Sequence, residues 1–195
     1  MKHLRQYIRQ ILLTESAKGL KDLEAEDLYM YINNWGDGFH IELGEADSPA
    51  PIGRISVERS HKTKNCGGAF MVFSSRADQN WGPLLYDIAM ELATEMGGGL
   101  MADRGSVSGE ARAVWDYYMA NRGDVTGIQM DDLFNTLTPE EEDNCDQEVA
   151  GGRHGMYGGD KVENPDWMHS PLSKRWTKPP TTLNALRAGD RLVEE

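Results

Sequence analysis

Cysteine is nearly absent: Cys66 and Cys145 are the only two in 195 residues. A multi-disulfide scaffold and a four-thiolate zinc centre both need more thiols, so both are excluded, and so sparse a usage fits a reducing cytosol. Long apolar runs are absent too. No stretch approaches the ~20 residues that span a bilayer, and the N-terminus lacks the apolar core of a secretory signal, so a soluble intracellular protein without a membrane partner is expected. Basic charge is the third shortage, with 20 Lys and Arg against 32 Asp and Glu and a net charge of −12. Tracking a nucleic-acid backbone requires a basic surface, which makes double-stranded DNA an unexpected partner.

Much of the acidic excess is local. Asp131, Asp132, Glu140, Glu141, Glu142, Asp143, Asp146 and Glu148 fall within residues 129–152, where no Lys or Arg occurs. The run reads as a solvated face, since the Asp-x-Asp-x-Asp-Gly spacing of a calcium loop is missing. His154 and His169 lie in glycine-rich or irregular stretches without a closely spaced ligand pair, so no metal site is expected.

What is present is enough for one core. Residues 1–15 place Leu4, Ile8, Ile11 and Leu12 at helical spacing and predict an amphipathic helix; 16–27 read as a polar linker. A core domain over 28–128 follows, then an acidic and irregular C-terminal extension over 129–195. Four strands are expected in the core: one from Leu28, one over 38–44, one over 52–59 and one from Gly68, each bounded by Gly, Pro, Asn or Asp. Alternation in the middle pair implies one solvated face. Residues 69–73 are apolar throughout and predict a central strand covered on both faces.

From Trp81 the apolar positions Leu84, Leu85, Ile88, Ala89, Leu92, Ala93 and Met96 keep a helical rhythm; Pro83 fits only the first turn, and the glycines at 97–99 end the helix. A short strand is expected over 100–104. A second helix follows, capped by Ser108, with Ala111, Val114, Trp115 and Tyr118 on one face. Thr138 with Pro139 predicts another helix start, and Thr182 opens a short helix in the tail. Strands in series, then helix, strand and helix, define an α/β or α+β fold: one mixed, mostly antiparallel sheet with helices on both sides.

A buried strand that runs through a polar stretch into a helix leaves helix N–H groups pointing outward with partial positive charge, which suits an anion. Arg76 and Gln79 are expected inside that turn, and Gly82 lets a ligand approach the backbone.

Residues 28–121 resemble the core of the Gcn5-related N-acetyltransferase superfamily, in which a fourth strand, a pyrophosphate-binding turn and a long helix hold coenzyme A. Here "QNWGPL" supplies Gln79 and Gly82 of the turn, with Leu84 at its last position; a second register places Asn80 and Gly82 at the glycines and Ala77 at the Gln or Arg. Ser108, Ala111 and Trp115 stand where the family carries Asn, Ala and the proton-donating Tyr. The resemblance implies acetyl-CoA as cofactor, held by Phe73, Ser74, Ser75, Arg76, Gln79, Asn80, Trp81, Gly82 and Ser108. It also implies an acyl donor passing its acetyl group to an amine, with Tyr118 or Tyr117 as acid and Glu58 as base.

Stretches such as "WGPLLYD" and "WDYYMANR" look similar to acetyltransferase-like proteins of tailed bacteriophages. The N-terminus resembles removable head-targeting segments of phages related to the T-even group, with Leu13, Thr14 and Glu15 matching the cleavage pattern before Ser16. Host cytoplasm or virion, and a role as a head component, follow as expectations. Two alternatives stay open: a catalytically inactive protein of the same fold, and a binder of a nucleotide-like phosphorylated ligand.

Overall fold

The computed structural model describes residues 17–46, 48, 50–59, 66–78, 80–104, 107–131, 137–145 and 167–194. The expected helix over 1–15, the Glu15–Ser16 junction, Gln79, His154 and the whole glycine-rich stretch over 149–161 lie outside them.

Strand β1 (Tyr29–Asn34), β2 (Gly38–Gly44), β3 (Gly53–Glu58) and β4 (Phe70–Ala77) form an antiparallel meander. Its pleat follows the sequence alternation. Met30, Ile32, Phe39, Ile41, Leu43, Ile55 and Val57 point into the core, while Tyr31, His40, Glu42, Arg54 and Ser56 occupy the other face. Beyond β4 the sheet continues in the order β4, β5 (Leu100–Met101), β7 (Lys174–Thr177), β6 (Thr126–Gln129). On the opposite edge, β8 (Leu192–Glu194) pairs in parallel with β1. The described strands make a mixed, mostly antiparallel eight-stranded sheet in an α+β fold.

Helix α1 (Leu20–Ala25) precedes β1, α2 (Gly82–Glu95) links β4 to β5, α3 (Gly109–Asn121) links β5 to β6, and α4 (Thr181–Ala188) links β7 to β8. In α2 the predicted stripe is buried, and its chain exit uses Gly97 and Gly99 at φ +91° and +73°, a left-handed conformation that favours glycine. Ser108 caps α3, its Oγ accepting from the Ala111 N–H at 3.2 Å.

Several expectations need correction. The stretch 16–27 is no linker: it contains α1, whose Leu23 is buried, and the Lys18 N–H donates to the Asn80 carbonyl at 3.0 Å. The extension 129–195 supplies β7, α4 and β8, so it closes the sheet at one edge and inserts a strand within it. These pieces are three, four and eight residues long, too short to show a period. Residues 137–145 form turns and not a helix, with the Thr138 hydroxyl bonded to the Asp143 carboxylate. Residues from all four helices join one core cluster with the same sheet face, so among the described residues helices do not cover both sides of β1–β4.

Phe73 is 69% exposed, against the expectation of burial on both faces. Among the described residues β5 pairs only with Phe70 and Met71, and Phe73 lies beyond that point at an irregularity in the pairing with β3. Cys66 and Cys145 form a disulfide that ties the acidic turn to the start of β4, beside Met71, Met101 and Met130. Two cysteines exclude a scaffold of several bridges, yet tertiary folding brings these two together across 79 residues of sequence and removes cysteine usage as an argument for a reducing compartment. Among the described residues no helix is long and apolar enough to cross a membrane.

Candidate functional site

Among the described residues, the passage from β4 to α2 leaves backbone hydrogen-bonding groups unused. Phe73 is a bulge: Ser56 pairs with Ser74 while Val57 pairs with Val72, so no β3 residue faces Phe73. Past Met71, β4 also has no strand partner on the β5 side among the described residues. The turn itself is Asp78 to Trp81, because residues 75–77 stay paired to β3, and the Asp78 N–H donates to the Ile52 carbonyl at 2.9 Å. Arg76 therefore belongs to the strand and not to the turn.

Asn80 adopts φ +72° and Trp81, buried, takes the position before the first helical residue without any side-chain cap. The Leu85 N–H bonds to the Trp81 carbonyl at 3.2 Å, whereas the N–H groups of Gly82 and Leu84 have no hydrogen-bond partner among the described residues. A Cβ added to Gly82 would meet nothing within 4 Å, so there is room beside its Cα at the helix start. On the far side of the turn, Lys18 places its ammonium 4.7 Å from the centre of the Trp81 ring.

A cavity of about 260 Å³ lies beside this helix start, between Lys18 and Leu20, Pro83 and Leu84 of α2, and Val114 and Tyr117 of α3. Its charged lining belongs to a network. Arg122 grips the Asp87 carboxylate through both terminal nitrogens at 3.1 and 2.9 Å and donates from Nε to Asp124 at 2.6 Å. The Tyr118 hydroxyl donates to Asp87 at 2.7 Å. Burial first, and then the negative Asp87, push the Tyr118 phenol well above its ordinary value. Pairing with Asp124, against the opposing effect of burial, pushes the Arg122 guanidinium further up, so it stays charged.

The residues named from sequence do not all converge. Phe73, Ser74, Ser75, Arg76, Asn80, Trp81 and Gly82 follow one another along the strand and turn, but Ser75 faces α2 while Ser74 and Arg76 project from the opposite face. Ser108 is spent on capping α3. Tyr118 is buried with its hydroxyl on Asp87, Trp115 is buried in the core, and Tyr117 is half-buried at the cavity wall. Glu58 stands opposite Met71, at the end of the β3–β4 ladder away from the turn. With about 3.3 Å per residue, roughly 20 Å of strand separates it from Ala77.

Tyr86 was not singled out by sequence reasoning, yet its hydroxyl lies 3.1 Å from Ser75 Oγ and its ring stands edge-on to Trp115 with centroids 5.5 Å apart. Burial raises its phenol above the ordinary value, opposed by the Ser75 hydrogen bond. It sits just off the apolar stripe of α2, and only its position across from β4 distinguishes it from a packing residue. Asp87 and Arg122 were missed for the same reason: each is an ordinary surface residue in a helical pattern until the other arrives.

The fold and site define an α+β protein with an open strand edge leading into an uncapped helix start. No protein-family model, curated protein or solved structure matches the chain.

Proposed function

We propose that the open edge of β4 and the start of α2 hold a phosphorylated acyl donor of the acetyl-CoA type, from which an acetyl group passes to an amine. The observation that carries this reading is the continuity of two backbone surfaces without partners among the described residues: the side of β4 after Met71 and the N–H groups of Gly82 and Leu84. An extended ligand can pair with a strand edge, and diphosphate oxygens suit a helix start. The order strand, turn, long helix is the one that the resemblance to Gcn5-related N-acetyltransferases implies.

In this reading acetyl-CoA supplies the acyl group as a thioester, and the protein contributes binding and orientation. Gly82 and Leu84 donate to the diphosphate, β4 aligns the chain of the donor, and the bulge at Phe73 bends the strand where the acyl group would lie. Tyr86 is a further hydroxyl on that path. Calorimetry with acetyl-CoA tests it: saturable binding is expected, and the absence of heat at millimolar ligand rejects it.

A second reading, a ligand binder of this fold without turnover, is favoured by the placement of the residues expected to move protons. Tyr118 is committed to Asp87, Trp115 is core, and Glu58 lies at the far end of the ladder. A free-thiol assay on acetyl-CoA with a panel of amines separates the two, because binding without thiol release supports the second. Binding of nucleotides in place of acetyl-CoA would move the ligand to the nucleotide-like class.

A further inference from the structure

Every described arginine except two donates a hydrogen bond to a named acceptor. Arg59 reaches the Met96 carbonyl, Arg104 the Asp131 and Ser173 carbonyls, Arg175 the Gly67 carbonyl, and Arg112, Arg122, Arg187 and Arg191 reach carboxylates. The two exceptions are Arg54 and Arg76, and they are neighbours: they stand directly opposite one another on β3 and β4, both exposed. Directly opposed residues hold their Cβ atoms about 4.5–5.5 Å apart, and like charges so placed destabilise a sheet. In a chain with net charge −12, where acids outnumber bases 32 to 20, two adjacent guanidinium groups without a carboxylate partner are not a by-product of composition.

Their surroundings are those of an anion site. One row further along the same face, about 7 Å away, Ser56 pairs with Ser74. Both hydroxyls are without hydrogen-bond partners among the described residues, and both side chains are small, so the two arginines flank a shallow floor of donors. His40 continues that row beside Ser56. Two carboxylates are near, Glu42 opposite Arg54 on its other side and Asp78 two residues past Arg76, and neither forms an ion pair with Arg54 or Arg76. Arg76 is the outer member of its row among the described strands.

We propose that Arg54, Arg76, Ser56 and Ser74 form a binding site for the phosphoryl group of a small phosphorylated molecule, on the face of the sheet turned away from α2. Guanidinium forks match phosphate oxygens and lose less on desolvation than an ammonium would. The acidic balance of the whole chain favours a compact ligand over a nucleic-acid backbone. The site does not depend on the acyl-donor reading, because Ser74 and Arg76 project away from the helix start that carries it.

The test titrates the full-length protein with inorganic pyrophosphate by calorimetry at low ionic strength, alongside Arg54→Gln and Arg76→Gln. Saturable binding by the wild type, weakened about tenfold or more in each variant, is expected. Ligand-free Arg76→Gln should melt no lower than the wild type, since it removes a repulsion; a residue retained for structure would lower the melting temperature. Absence of saturable binding overturns the proposal. So does binding that survives both substitutions, which would belong to the start of α2, and so does binding of a single-stranded oligonucleotide without any of pyrophosphate.

Discussion

The Glu91 carboxylate, fully buried in the middle of α2, closes over the start of α4 and at the same time pairs with the buried ammonium of Lys178. Its Oε2 accepts from the Leu183 N–H at 2.7 Å and its Oε1 from the Thr182 N–H at 3.0 Å. Lys178 is further held by the Thr181 and Thr182 hydroxyls at 3.2 Å. One side chain thus supplies the cap that α4 lacks locally and fastens the last 18 residues to the central helix.

Lys178→Met should cost about 3–5 kcal/mol, because it leaves Glu91 as a buried carboxylate without its cation. Glu91→Gln keeps a carbonyl for one amide of α4 and should cost less. Urea unfolding measures both, and a loss below about 1 kcal/mol for Lys178→Met, the range of an exposed pair, would contradict the buried geometry.

Tyr118 should titrate late. Its folded-state phenol is raised above the ordinary value of 10.0 by burial and by Asp87, so its contribution to stability is fully present below that pH and is lost as pH rises above it. Phenolate absorbance of Tyr118 should appear only together with unfolding, after that of the exposed tyrosines. Tyr118→Phe should cost about 1 kcal/mol by losing the bond to Asp87, and should reduce the amplitude of the late step by one tyrosine, leaving the raised Tyr86.

The Cys66–Cys145 bridge closes a long loop and should contribute about 2–4 kcal/mol. Cys145→Ser, or reduction of the wild type, should lower the melting temperature, and hydrogen exchange should quicken first in residues 137–145. Equal melting with and without reductant would mean that the thiols are unpaired in solution.

Gly98 has no room for a methyl group: a Cβ there would collide with the Gly68 carbonyl, a backbone atom that cannot yield without moving the entry to β4. Gly98→Ala should destabilise by about 3 kcal/mol. Gly109→Ala, where a Cβ meets nothing within 4 Å, is the control and should be neutral or stabilising within a helix. Comparable melting of the two variants would contradict the close approach of the 97–99 turn to β4.

By itself the chain's pattern determined what repeats over enough residues to be heard: the alternation of β2 and β3, the apolar stripe of α2 ended by glycines, and the cap at Ser108. Local sequence also located the strand-to-helix passage, because Pro83 and Gly82 mark a helix start wherever they fall in such a rhythm. Tertiary structure decided everything that depends on which pieces meet. A two-residue β5 left β4 past Met71 without a strand partner on that side among the described residues; pleat direction set Ser75 on one face and Ser74 and Arg76 on the other; and distant segments joined Cys66 to Cys145 and Glu91 to Lys178. The division has one physical cause. Periodicity is a property of neighbours along the chain, whereas charge pairing, capping and open edges are properties of neighbours in space, and those exist only after the core has closed.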